Sequence, residues 1–543
     1  LYPKYIRNLP KNEGLYYWVD YSGKVWFSTI DSPKNIEKSD TEISWENIDN
    51  AVSYSVYEVE NNNLTGSIGN IKEKHLATID TEKYIPEDYD KDKMYLVSAI
   101  DVNGFETAPV RMGYEGISMF MENQQEPIIP VTPTPPFIKN YGGSGSDYFQ
   151  SIERTSDGGY VAVGYSRSSD GDLTGNKGND DFVIAKFDGN GNKVWVKNYG
   201  GSSIDVLRSV KETSDGGYVA VGYSQSSDGD LTGNKGDYDF VIAKFDSDGN
   251  KVWIKNYGGS SNDYFYSVQE TSDGGYVAVG NSYSSNEDLK NNKGVSDFVI
   301  AKFDSSGNKQ WIKNYGGSSN DYFYSVQETS DGGYVAVGYS YSSNGDLRNN
   351  KGLSNFVIAK FDNNGNKVWI KNYGGSSDDI FYSLDSTKDG GYVAVGYSYS
   401  PDGDLTGNKG QNDFVIAKFD SNGNKVWIKN YGESGSDNLR SVKETNDGGF
   451  VAVGYSQSSD GDLRNNKGLG DFVIAKFDNN GNKVWIKNYG GSSTDCFYSV
   501  QETSNGGYVA VGYSQSSDGD LKNNKGLSDF VIAKFNSDGM LYE

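Results

Sequence analysis

Short runs of β-branched and aromatic residues, each closed by a glycine-bearing turn, fill the last three-quarters of the chain. Between Ser267 and Tyr315 the runs are Ser267-Val268-Gln269-Glu270-Thr271, Tyr276-Val277-Ala278-Val279-Gly280, Phe298-Val299-Ile300-Ala301-Lys302-Phe303 and Gln310-Trp311-Ile312-Lys313-Asn314-Tyr315. Runs of this length and composition predict strands. Asp273-Gly274-Gly275 and Ser306-Gly307-Asn308 supply the residues that tolerate positive φ in tight hairpins. A longer polar stretch, Ser284 to Ser296, separates the second run from the third. The runs lack clean apolar–polar alternation: the third is apolar on both faces. The predicted unit is a four-stranded antiparallel meander that needs a neighbour on each side.

The unit repeats. Asn-Tyr-Gly recurs with its tyrosine at Tyr141, Tyr199, Tyr257, Tyr315, Tyr373, Tyr431 and Tyr489, every interval being 58 residues. Seven sheets covered on both faces satisfy one another by closing into a ring, whereas an open solenoid would leave two end faces bare. The ends of the repeat region favour the ring. The seventh unit stops at Phe535-Asn536-Ser537-Asp538-Gly539, before its fourth strand, and Phe137-Ile138-Lys139-Asn140-Tyr141 aligns with the fourth strand Trp195-Val196-Lys197-Asn198-Tyr199. The expected fold is all-β: a seven-bladed β-propeller over 137–543, its last blade completed by the N-terminal strand.

The recurring pattern Tyr-Gly-Gly-Ser-Ser-x-Asp, Asp-Gly-Gly-Tyr-Val-Ala-Val-Gly-Tyr-Ser, Asp-Phe-Val-Ile-Ala-Lys-Phe-Asp and Gly-Asn-Lys-Val-Trp resembles the bacterial SBBP-type β-propeller repeat family. The resemblance covers 137–543 and implies the propeller fold. It also implies a setting among exported and cell-surface proteins, and it says little about a ligand.

Ahead of the repeats, residues 32–112 resemble a fibronectin type III domain. The matching residues are Ser44-Trp45, Tyr54, Val56-Tyr57-Glu58, Tyr84 and Tyr95-Leu96-Val97-Ser98-Ala99-Ile100-Asp101, with Asn103-Gly104 and Glu106 after them. Trp45 and the alternating tyrosines and valines suit a two-sheet core. Residues 1–31 have strand-like aromatic content and read as an extra hairpin or the tail of a preceding domain. Residues 113–136, ending in Val131-Thr132-Pro133-Thr134-Pro135-Pro136, read as an extended, semi-rigid linker. The chain opens at Leu1 with no methionine, signal peptide or transmembrane run, as expected of a processed or trimmed piece of a longer protein.

Composition narrows the chemistry. A formal net charge of -24 argues against nucleic acid and anionic membrane surfaces as partners, and no segment suits membrane insertion. Cations, neutral glycans and basic protein surfaces stay open. One cysteine, Cys496, and one histidine, His75, leave no disulfide framework, zinc site or thiol–imidazole pair to assemble.

Strand order sorts the loops. The two short turns of each unit share one rim; the other rim collects the loop between strands two and three and the link between blades, such as Gly258-Gly259-Ser260-Ser261-Asn262-Asp263. That loop-rich rim is the candidate binding face, opposite the rim where the linker enters. Three acidic or amide rows recur on it, beginning at Asp147, Asp172 and Asn176. The motif Asp-Gly-Asp-Leu-x-x-Asn offers oxygens at alternating positions, which would suit calcium at Asp170, Asp172, Asp228, Asp230, Asp402, Asp404, Asp460, Asp462, Asp518 and Asp520. The alternative is that these side chains bond loop amides as Asx turns do. Recurrence in all seven units and an inconsistent third oxygen (Thr174, Lys290, Arg348) weigh toward the structural reading. Calcium is the one cofactor in question, and none is required.

Positions that differ between copies point more directly to a ligand. One row reads Tyr148, Val206, Tyr264, Tyr322, Ile380, Asn438 and Cys496; a second reads Gln150, Arg208, Tyr266, Tyr324, Tyr382, Arg440 and Tyr498. Both fall where the innermost strand begins. Tyrosine beside aspartate offers a sugar an apolar face and hydroxyl acceptors, so Tyr148, Tyr264, Tyr266, Tyr322, Tyr324, Tyr382 and Tyr498 are the candidate ligand contacts. Packing between blades is the competing use of the same rings.

No unique catalytic constellation is expected. The recurring carboxylates follow the repeat, and the repeat region's arginines, Arg154, Arg167, Arg208, Arg348, Arg440 and Arg464, fall in several rows. The leading expectation is a non-enzymatic, bacterial, secreted or cell-surface adhesion or binding module that recognises a glycan or extracellular protein through the loop-rich rim. Two alternatives remain: a spacer or subunit that self-associates in a surface assembly, and accessory domains of an extracellular glycan-active enzyme.

Overall fold

The computed structural model describes residues 135–541 except 349 and 406, together with the backbone of nine strands between Tyr16 and Arg111. The chain divides into two compact units, 1–132 and 133–543. In the first, Glu37–Lys38, Ile43–Ser44 and Lys83–Tyr84 form a three-stranded sheet in that order. Glu73–Ile79, Ala51–Val59, Tyr95–Asp101 and Val110–Arg111 form a four-stranded one, and Tyr16–Val19 pairs with Val25–Ser28. The side chains of this unit, His75 and Trp45 among them, and the expected linker up to residue 134 lie outside the described residues.

The second unit is a seven-bladed β-propeller. Each blade is an antiparallel sheet of four strands in sequence order. In the third blade these are Asp263–Glu270, Tyr276–Ser282, Asp297–Phe303 and Lys309–Tyr315. The seventh blade is completed from the other end of the unit. Phe137–Tyr141 pairs antiparallel with Asp529–Phe535, Phe137 opposite Lys534 and Tyr141 opposite Phe530. The ring is closed by this strand, as the sequence pattern implied.

Strand three is buried along its whole length in every blade. That explains why Phe-Val-Ile-Ala-Lys-Phe carries apolar groups on both faces. Between blades two and three, Val219, Val221, Phe240 and Ile242 meet Phe265, Val268, Tyr276 and Ala278. Phe240 stacks on Phe265 with ring centroids 4.0 Å apart. The closing seam repeats the arrangement, with Phe149 on Phe530 at 4.1 Å. Each such side chain contributes about 1.5–3 kcal/mol on burial, so every seam holds its two blades firmly.

The lysine inside strand three is buried but not alone. Lys302 donates to Asp273 and Thr271, both at 2.7 Å. In the second blade burial pushes the Asp215 carboxyl up, but Lys244 and Thr213 outweigh it and hold the group at about 2. Strand four is the outer edge, exposed at its start, and lysines flank its tryptophan. Lys255 lies over the Trp253 ring at 5.6 Å and bonds Asn308 of the next blade at 2.7 Å. Charged edges of this kind resist pairing with a foreign strand. The Trp253 ring packs on Gly307 of the next blade, where φ of 73° and the ring together exclude a side chain.

Candidate functional site

Strand one lines the central channel, and a bulge shapes what it presents there. In the third blade Phe265 pairs with Gly280 and Ser267 with Val279, which leaves Tyr266 as the extra residue. The same skip occurs in all seven blades. A bulge re-aims one side chain out of the alternation, and here it turns the second variable row into the channel. The row makes six successive contacts around the axis. Arg208 donates to Gln150 Oε1 at 2.6 Å and lies over Tyr266 at 6.0 Å. Tyr266 meets Tyr324 at 4.7 Å, and Tyr324 meets Tyr382 at 5.0 Å. The Arg440 guanidinium covers Tyr382 at 4.0 Å and reaches Tyr498 at 5.9 Å. Four of the predicted tyrosines, Tyr266, Tyr324, Tyr382 and Tyr498, are therefore brought together in one half-buried belt with two arginines.

Tyr148, Tyr264 and Tyr322 go elsewhere. Each leans over the seam to the preceding blade: Tyr148 meets Tyr513 at 4.5 Å, Tyr264 meets Tyr223 at 4.8 Å, and the Tyr322 and Tyr283 hydroxyls are 2.7 Å apart. Val206, Ile380, Asn438 and Cys496 in the same row are buried. Burial pushes the Cys496 thiol up to about 12, so it is a packing residue and no nucleophile.

Below the belt the channel changes character. Serines follow the bulge, and those of blades one to six accept from the next blade's innermost strand, as Ser209 Oγ does from Val268 N at 3.3 Å. Next comes a belt of Glu153, Lys211, Gln269, Gln327, Asp385, Lys443 and Gln501. Its cations are paired: Lys211 with Glu153 at 2.8 Å and Lys443 with Asp385 at 3.1 Å. Gln501 also donates to Glu153 at 3.0 Å. Burial works against the Lys443 charge, but Asp385 and Glu153 outweigh it and raise the ammonium above its ordinary range.

On the loop-rich rim the acidic rows are engaged with the protein itself. Asp170, Asp228, Asp402 and Asp518 accept from the amides of Ser144, Ser202, Ser376 and Ser492 at 2.7–2.8 Å. Asp460 accepts from Ser434 at 3.2 Å. Asp230 accepts from Gly200 N and joins Lys177 of the preceding blade to Lys251 of its own, both at 2.5 Å. Asp172 and Asp404 repeat that bridge, with Lys193 and Lys525 and with Lys425 and Lys351. Burial raises these two carboxyls, but the lysines outweigh it and hold both at about 2. Asp520 takes Lys467 and the Gly490 amide, and Asp462 takes Lys483. Among the described residues no three His, Cys, Asp or Glu side chains come together as a metal group would require.

One carboxylate row escaped the sequence reading: the aspartate that opens strand three. Asp239 lies across the seam from Asp263, and a β-carbon on Gly258 would fall within 2.8 Å of both carboxylates. Asp263 is saturated by Ser282, Ser284 and the Gly259 amide, whereas the buried Oδ1 of Asp239 has no partner. Burial, with Asp263 adding to it, pushes Asp239 up to about 7. Asp297 and Asp471 behave alike. The recurrence of Asp before Phe-Val-Ile-Ala was the available signal; that it faces a second aspartate is a fact of blade packing.

The class defined by this architecture is a closed seven-bladed propeller whose channel presents an arginine–tyrosine belt toward one rim and a charge-paired belt toward the other. No family model matches the chain, and no curated protein matches it. Solved structures match over long spans at low identity. Sqt1 from Chaetomium thermophilum shares 11% identity over 74% of this chain and 99% of its own, with a TM-score of 0.38. Rhamnogalacturonan lyase YesW shares 12% over 93% and 89%, with 0.31. An auxiliary nutrient binding protein from Bacteroides thetaiotaomicron shares 10% over 78% and 94%, with 0.29. Among the described residues no helix is long and apolar enough to cross a membrane.

Proposed function

We propose that the chain is a non-catalytic binding module of the bacterial cell exterior, and that its propeller engages a glycan or protein ligand at the loop-rich mouth of the channel. The observation that carries this reading is where the blades differ. Strand three reads Phe-Val-Ile-Ala-Lys-Phe in all seven, and strand two differs at few positions. The channel belt, by contrast, holds tyrosine, arginine and glutamine in turn. A fold that needs seven equal wedges gains nothing from an unequal belt, whereas one ligand on the axis needs unequal contacts. The N-terminal unit is read as a type III-like spacer, and its three-stranded and four-stranded sheets support that. Engagement of the candidate calcium ligands with amides and lysines supports the structural reading of those carboxylates.

Glycan-array screening of the full chain tests the reading, with Tyr324→Ala and Tyr382→Ala as comparison variants. Binding that falls about tenfold in these variants, with melting unchanged, supports it. Binding that ignores the belt overturns it. Stacking of the belt tyrosines on one another favours a second reading, in which the propeller is a rigid element that self-associates in a surface assembly. Concentration-dependent oligomers with no glycan bound would support that one.

A further inference from the structure

The two ends of the channel treat positive charge differently. In the belt nearer the short-turn rim, Lys211 and Lys443 each have a carboxylate partner. Three residues nearer the loop-rich rim, roughly 10 Å along strand one, Arg208 and Arg440 have none. Among the described residues neither makes an ion pair, although the chain carries 74 acidic residues. Arg208 donates only to neutral groups, Gln150 and the Tyr223 hydroxyl at 3.0 Å. Arg440 is surrounded by the rings of Tyr382, Tyr455 and Tyr498. The Nε of each is buried and without a hydrogen-bond partner. A desolvated cation with an unused donor is costly, and an arriving anion removes that cost.

We propose that the arginine–tyrosine belt is a site for a single carboxylate, carried by an acidic saccharide that enters from the loop-rich rim; the proposal rests on the binding-module reading above. A guanidinium presents its donors as a planar fork that matches a carboxylate in two parallel bonds. Arg208 and Arg440 approach the axis from blades two and six, with the Tyr498 ring in reach of the second and Tyr266 in reach of the first. The overall charge of -24 repels polyanions at long range. Screening confines that field to about 8–10 Å in physiological salt, so one carboxylate on a neutral body can still reach two unpaired cations. Tyrosine rings and the Gln150 amide beside the cations suit a sugar's ring face and hydroxyls better than a peptide's alternating side chains.

The test is calorimetric titration of the full chain with a glucuronic-acid-terminated disaccharide and its glucose-terminated counterpart. The acidic sugar is expected to bind at least about tenfold more tightly, with the preference weakened by salt. R208Q and R440Q should each erase that preference while leaving the melting temperature near wild type. Should either variant fail to fold, near-ultraviolet circular dichroism of the wild-type tyrosines serves instead: it should change on adding glucuronate and not glucose. Equal binding of the two disaccharides overturns the carboxylate site while leaving the binding module standing. Arginine-dependent binding of a peptide's free C-terminus, with neither sugar bound, overturns the saccharide assignment.

Discussion

A β-carbon at Gly280 would overlap the carbonyl oxygen of Tyr264. The equivalent glycine of every blade faces the same carbonyl, because the bulge in strand one pushes that oxygen toward strand two. Here the glycine is required by close approach and not by a positive φ. Gly280→Ala should therefore cost about 1–3 kcal/mol, the range for overpacking a well-filled interior, and should disturb Tyr266 next to it. Urea denaturation of the variant checks this, and an unchanged midpoint would mean that the bulge relaxes without loss. The sequence displayed the glycine as part of Val-Ala-Val-Gly, where it reads as a strand end. Its partner in the bulge was invisible, since a skipped residue leaves no mark in the spacing.

At the scale of strands and seams, the paired aspartates set the pH response. Asp239, Asp297 and Asp471 ionise near 7 in the folded protein and near the ordinary value of 3.8 when unfolded. Between those values the folded state holds more protons than the unfolded one, so stability falls as pH rises. The groups facing Asp239 are Asp263, which opposes its ionisation, and Lys235, which favours it. Asp215, Asp273 and Asp447, held at about 2 by their lysines, act in the opposite sense and remove stability only as pH drops below about 4. The melting temperature should consequently peak near pH 4–5 and decline toward 7. Asp239→Asn should flatten that decline, because a neutral amide already stands at this position in one blade as Asn355, opposite Asp379. A profile identical to wild type would show that the seam carboxylates do not share their protons as argued. The row at Asp147 was legible as structural from its recurrence. The row at Asp181, which opens strand three, gives no sign in the sequence that it faces a second aspartate.

For the molecule as a whole, closure rests on one borrowed strand. Phe137–Tyr141 covers the edge of Asp529–Phe535, and its Tyr141 hydroxyl donates to Gly191 O at 2.8 Å. Phe137 packs on Gly191 as the tryptophans of the other blades pack on their turn glycines. Removing residues 1–141 leaves the seventh blade with three strands and bares a long apolar edge. The truncated protein should melt well below the full chain and self-associate, which calorimetry and size-exclusion chromatography would register. A monomer of unchanged melting temperature would mean that the ring does not depend on the seal.

Repetition makes the propeller legible in the amino-acid order alone. A fixed 58-residue step, a third strand apolar on both faces and a displaced fourth strand leave a closed ring as the arrangement that buries every sheet face. Local pattern carried this because each blade is built from contacts within one unit and its neighbour. The belt is of another kind. Arg208 and Arg440 belong to the second and sixth blades, and in the sequence they are two of the repeat region's six scattered arginines. Ring closure brings them to one axis, and the bulge turns them inward. What the amino-acid order determined was the wedge and its number; which side chains meet across the channel, and which of them find no counter-charge, was decided only when seven wedges met.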